Sequence, residues 1–143
     1  MTPGTKVVKK HVTDGLFCEQ KVMEFEEAAD PPRFPLLVSP AFGSDGAGCN
    51  ILSFSAEEDG KAFQEAPVRD LNLVTCFIEV KGRSNSSAAI ELKGNELTTA
   101  GKFWERYYLY RLFEAQDGEF VLTILNNPLE QKRCFGARCL PWI

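Results

Sequence analysis

The chain has 143 residues, of which 44% are hydrophobic and 25% charged, a composition that suits one globular domain burying roughly 68–70% of its unfolded surface without disulfide or metal staples. No run approaches the ~20 apolar residues of a membrane helix, and residues 1–10 are basic but lack the apolar core of a secretory signal, so a cytoplasmic location is expected. A net charge of −4 and a pI near 5.1 argue against non-specific nucleic-acid binding by the chain as a whole, and confine any DNA contact to a local patch.

One domain is expected over residues 1–143, with residues 1–14 as a flexible N-terminal segment. The first helix is read from Leu16 to Ala29, where Leu16, Phe17, Val22, Met23 and Phe25 recur at near-helical spacing, Thr13 or Asp14 can cap the start, and Pro31-Pro32 ends it. Leu36–Ser39 and Cys49–Phe54 read as short strands, and the polar stretch from Glu57 to Gln64 reads as the tip of a long hairpin. Leu73–Lys81 is the strongest strand signal, rich in Val, Thr, Phe and Ile, and Ala88–Leu92 follows as another. A helix starting at Gly94 or Asn95 carries Leu97, Ala100, Phe103 and Trp104, then feeds the strand Tyr107–Phe113. Asp117-Gly118 is a hairpin signal leading into Phe120–Leu125. The order is that of a sheet with helices packed on it.

Five cysteines, Cys18, Cys49, Cys76, Cys134 and Cys139, form no Cys-x-x-Cys pair and read as free thiols. Cys134 and Cys139 could be half of a zinc site, but the single histidine, His11, is distant and no full ligand set is apparent. Positive charge gathers after residue 80, in Lys81, Arg83, Lys93, Lys102, Arg106 and Arg111, as a solvated face or a phosphate-tracking groove. The aromatic group Phe103, Trp104, Tyr107, Tyr108 and Tyr110 reads better as core than as a stacking platform for bases.

Strand side chains alternate, so Cys76, Ile78 and Val80 point one way while Phe77, Glu79 and Lys81 point the other. A carboxylate and an amine thus share one face of an apolar strand. Desolvating both is tolerated where the carboxylate binds a cation or the pair is functional, and costs little if the strand is a wet edge. Both readings stand on these residues alone.

A wider set of segments carries a family resemblance: Asp45–Phe54 with Gly48-Cys49-Asn50-Ile51, then Phe77-Ile78-Glu79-Val80-Lys81-Gly82-Arg83-Ser84, Ala89–Leu92, Asn95-Glu96, Arg106–Leu112 and Asn127-Pro128-Leu129. Their order and spacing resemble the family named for the C-terminal domain of the plant protein NO VEIN, over about residues 15–129. That family is placed in the PD-(D/E)XK nuclease superfamily, often attached to helicase-like or bacterial defence proteins. The resemblance implies an α/β (α+β) fold with an αβββαβ restriction-endonuclease-like core, a central mixed sheet flanked by helices. It also implies DNA as substrate, cleaved with Mg2+ or Mn2+, and compatibility with a homodimer or with a helicase or defence-system partner.

Carried over by position, Glu79 and the carbonyl of Val80 would be metal ligands and Lys81 would position the attacking water. Arg83, Ser84, Asn95 and Glu96 would lie beside the site on the substrate side. The departure is Asn50, where the family has the first metal-binding aspartate. An amide oxygen lacks the charge that draws magnesium from water, so metal binding should be weak and activity impaired or lost. Natural inactivation, engineered inactivation and replacement by another acid are the three explanations. Asp45 and Glu19 are the candidate replacements. Asp70, about 30 Å away along an extended strand at ~3.3 Å per residue, is a poor one. The rival readings are a non-catalytic module binding nucleic acid or protein in a defence or DNA-processing system, and a structural interaction domain.

Overall fold

The computed structural model describes residues 15–38, 48–83, 90–92, 94–114, 118–130, 134–135 and 138–139. The expected flexible segment 1–14, with His11 and the proposed helix caps, lies outside the described residues, as do Asp45, Ser84, Lys93 and the tail 140–143.

Cys18, Val22 and Glu26 are spaced four apart, which places them on one helix face. They are the buried residues of α1 (Gly15–Glu27), whereas Leu16 and Phe25, expected on the apolar side, are exposed. After α1 come β1 (Phe34–Leu37), β2 (Ile51–Phe54), α2 (Glu57–Glu65), β3 (Cys76–Arg83), β4 (Ile90–Glu91), α3 (Asn95–Phe103), β5 (Tyr107–Glu114), β6 (Phe120–Asn126), β7 (Cys134–Phe135) and β8 (Arg138–Cys139).

The main sheet has the order β1-β2-β3-β5-β6. Its strands β3 and β5 run parallel, from Phe77 opposite Tyr107 to Arg83 opposite Phe113; the other neighbours are antiparallel. A parallel pair needs a crossover, and α3 lies within it. With three helices flanking a five-stranded mixed sheet, the architecture is consistent with the expected restriction-endonuclease-like core. A separate three-stranded sheet, β4-β8-β7, takes up the strand expected near Ala88–Leu92 and sets Cys134 opposite Cys139 in backbone register.

Two expectations fail locally. The stretch Glu57–Gln64 is not a hairpin tip but helix α2, whose first turn carries Glu57, Glu58 and Asp59, where the helix dipole favours acids. Its one fully buried side chain, Phe63, packs on Phe54 with ring centroids 5.5 Å apart. The strand expected from Leu73 begins only at Cys76, because Leu71–Leu73 forms a 3-10 turn in which the Asp70 carboxylate accepts the Asn72 N–H at 3.0 Å.

The two faces of the sheet carry separate cores. Leu52, Phe54, Phe77, Leu109 and Tyr107 cluster with Phe63 and Ala100 of α2 and α3, and Ile51, Cys76, Ile78 and Tyr110 cluster with Val22 of α1. The alternation read along β3 is therefore the one observed. Tyr107 and Tyr110 are buried and Trp104 is exposed, so the aromatic group is mainly core.

Glu26 is fully buried beneath α1. Its carboxylate accepts hydrogen bonds from Arg33 Nε at 2.5 Å and Nη2 at 3.0 Å, from Ser53 Oγ at 2.8 Å and from Tyr110 Oη at 2.5 Å. Burial pushes its pKa up, but the hydrogen bonds from Arg33, Tyr110 and Ser53 outweigh it and hold the carboxyl below its ordinary value near 4.5. The network ties α1, β2 and β5 together by charge-assisted bonds, which are stronger than neutral ones. Replacing Glu26 by Gln leaves Arg33, whose side chain is partly exposed, facing a neutral amide, and should cost about 1–3 kcal/mol in urea unfolding at neutral pH. Because the folded pKa is lowered, this stabilisation is present above the unfolded value and is lost as pH falls below about 4.5. The gap between parent and variant should therefore close on acidification.

Candidate functional site

Burying Glu79 sets the terms of this site. The residue is 4% exposed, and its side chain projects from the middle of β3 onto the face shared with α3. Burial drives its pKa up; Lys81 lowers it and Glu96 raises it again, with the result near 8. Lys81 Nζ lies 3.3 Å from Glu79 Oε2 and 3.1 Å from both carboxylate oxygens of Glu96. Glu96 comes from the first turn of α3, where the helix N-terminus favours an acid. The ammonium is thus held between the Glu96 side chain and the Glu79 carboxyl group. Arg111, opposite Lys81 in the parallel register and so on the same face, is 2% exposed.

Gly48 brings the preceding chain up to this face. It has φ +75, and a Cβ there would lie 2.1 Å from Thr99 Oγ1 and 2.2 Å from the Asn95 carbonyl oxygen, so no other residue lets the backbone pass this close to α3. Tyr107 Oη donates to the Gly48 carbonyl at 3.0 Å. Cys49 is buried next to Glu79, and burial, with the charge of Glu79, pushes its thiol up to about 12, which leaves it unreactive.

Asn50 directly precedes β2. Ile51 faces Ile78, so continuing that register one step sets Asn50 opposite Glu79. The Asn50 backbone N–H donates to Ile78 O at 2.8 Å, and its Oδ1 accepts the Val80 N–H at 2.6 Å. The side-chain amide also donates to Glu19 of α1, whose pKa is raised by burial and eased by this bond. The amide therefore works at both ends, accepting from the strand and donating to the helix. An aspartate could keep the first contact, but it would set a second carboxylate against Glu19.

The residues named from sequence distribute as follows. Asn50, Glu79, Val80 and Lys81 come together, and Glu96 joins them by a direct ion pair rather than merely lying nearby. Asn95 contributes its backbone at the Gly48 contact and is itself exposed. Arg83 ends β3, its side chain outside the described residues with Ser84. Of the two acids considered as substitutes, Glu19 does reach Asn50. Reasoning from sequence missed Cys49, Tyr107 and Arg111 as the walls. Arg106, read as a surface charge or phosphate contact, instead donates to the carbonyls of Val74 at 2.6 Å and Leu71 at 3.1 Å, and lies over the Phe77 and Phe103 rings.

These residues do not fit a magnesium or manganese ion as they are arranged. The Asn50 oxygen is engaged by the Val80 N–H, and the Lys81 ammonium already bridges Glu79 and Glu96. Among the described residues no group of three or more His, Cys, Asp or Glu side chains is placed to hold a metal ion.

A family model described as Protein NO VEIN, C-terminal, matches residues 18–124. The chain belongs to the NO VEIN C-terminal family. The match includes Glu19, Gly48, Asn50, Glu79, Lys81, Glu96 and Arg111, so the whole site lies inside the family domain. No curated protein and no solved structure matches the chain. Among the described residues no helix is long and apolar enough to cross a membrane.

The raised Glu79 carboxyl has a consequence for stability. Between about pH 4.5 and about 8 the folded state keeps a proton that the unfolded chain has lost, so this group makes stability fall as pH rises through that window. Glu79→Gln removes the dependence. Urea titrations at several pH values should show the variant gaining on the parent from acid to mildly alkaline pH.

Proposed function

We propose that this NO VEIN C-terminal domain is a nuclease-like domain of the PD-(D/E)XK type, built for metal-dependent DNA phosphodiester cleavage and closed to that chemistry by Asn50. The carrying observation is the double engagement of the Asn50 amide, whose oxygen is held by Val80 and whose NH2 group is held by Glu19. What supports the nuclease ancestry is the grouping of Glu79 and Lys81 beside position 50, at the centre of a mixed sheet with the parallel pair β3 and β5. A glutamate and a lysine two residues apart on one buried strand face are costly to keep without a role.

In its present form the domain acts as a non-catalytic module of a DNA-processing or defence system. A specific observation favours binding over cleavage: the ammonium that would orient an attacking water is clamped by Glu79 and Glu96. Binding of DNA by this face draws little support from charge, because Lys81 is paired with acids, Arg106 is bonded to backbone carbonyls and Arg111 is buried. Protein recognition is therefore the better use of the closed domain.

Supercoiled-plasmid cleavage with Mg2+ or Mn2+ tests the reading on three proteins: the parent, Asn50→Asp, and Asn50→Asp with Lys81→Ala. The parent should be inert, Asn50→Asp should cut, and the added Lys81→Ala should abolish cutting. Losses of about 100-fold or more are the usual scale for removing a group that moves a proton or stabilises charge in the transition state. A parent that cuts as fast as Asn50→Asp would show that Asn50 does not close the site. Three inert proteins would leave the binding module and remove the nuclease reading.

A further inference from the structure

A concavity outside the Glu79 site lies between the C-terminal end of α1, the edge strand β1 and helix α2. It is a cleft of about 260 Å³ lined by apolar Phe34 and Phe54, by Gly60, and by Glu27, Glu57 and Lys61. That volume is below the roughly 300–1,000 Å³ of small-molecule sites, and suits one inserted side chain better than a cofactor.

Gly60 is the unusual member. It sits in the interior of α2, where glycine is the weakest helix former after proline. Packing does not require it, since a Cβ at this position would meet nothing nearer than the Phe54 ring at 3.5 Å, an ordinary contact. What the missing side chain does is keep the cleft clear. Phe34, at the mouth, is 37% exposed.

The rim has a definite sign. Among the described residues Glu27 and Glu57 form no ion pair. Glu27 ends α1, a helix with no basic residue in its last turn, so the partial negative charge of the helix C-terminus adds to that of the carboxylate. Lys61 offsets this in part. A phosphate-bearing ligand would meet repulsion here, and a lysine or arginine would meet attraction. An apolar floor within an acidic rim matches a peptide that inserts one large apolar side chain and flanks it with cations.

We propose that the cleft between α1, β1 and α2 is a docking site for a basic peptide segment of a partner protein, anchored by one apolar side chain. No lining residue of the cleft belongs to the Glu79 site, so the proposal stands whether or not that site cleaves DNA.

The test uses the full chain and a fluorescently labelled acetyl-Lys-Lys-Phe-Lys-Lys-amide peptide, read by anisotropy. The peptide should bind. Changing its Phe to Ala, and separately changing Gly60→Leu in the protein, should each weaken binding about tenfold or more, the scale of removing an interface anchor. Thermal unfolding should show Gly60→Leu no less stable than the parent. Glu27→Lys combined with Glu57→Lys should also weaken binding. Absence of binding at millimolar peptide would overturn the proposal. So would equal binding of the Phe and Ala peptides, which would reduce the interaction to loose charge attraction; that arm decides the matter even if Gly60→Leu fails to fold.

Discussion

A carboxyl group buried in the middle of a strand is the constraint to which the rest of the site answers. Glu79 is placed there by the alternation of β3, and removal from water pushes it toward its neutral form. Lys81, from the same strand, pulls it back toward the charged form, while Glu96, from the first turn of α3, holds the Lys81 ammonium and pushes Glu79 up again. Glu96 depends on β3 and β5 running parallel, because the crossover between them delivers the start of α3 to this face. Gly48 then lets the chain ahead of β2 pass against α3, and with it come Cys49 and Asn50.

Asn50 fits into this geometry through its amide, whose oxygen accepts the Val80 N–H. An aspartate at the same place would repel Glu19 and would stand beside Glu79 as a further carboxylate, an arrangement that calls for a cation. The amide answers the same need by hydrogen bonding, since its NH2 group serves Glu19 while its oxygen serves the strand. In the proposed reading, one atom's difference between asparagine and aspartate separates a site satisfied by the protein itself from one that needs an ion.

How far the residues announced this depends on the range of the interactions. The alternation of Phe77, Glu79 and Lys81 is local and has a period of two, so the shared face was visible in the sequence. The helix from Asn95 and the strands from Tyr107 and Phe120 were likewise carried by local patterns. Glu26 was not legible, because a glutamate in a mixed helix reads as surface, and its partners lie 7, 27 and 84 residues away. Helix α2 was hidden for a related reason: only Phe63 of its nine residues is buried, too little to show a helical period. The reach of Glu19 to Asn50 was raised as a possibility, but the direction in which α1 crosses the sheet decided it. The paired state of Lys81, the burial of Arg111 and the carbonyl contacts of Arg106 are tertiary facts that charge counting along the chain cannot supply.

The central claim is that the Asn50 amide satisfies the site without a divalent ion. Isothermal titration of Mn2+ into the parent and into Asn50→Asp tests it most directly, since metal binding is read without reference to any activity. The account predicts no saturable binding to the parent at millimolar Mn2+ and binding to Asn50→Asp. Equal, saturable binding to both proteins would contradict it.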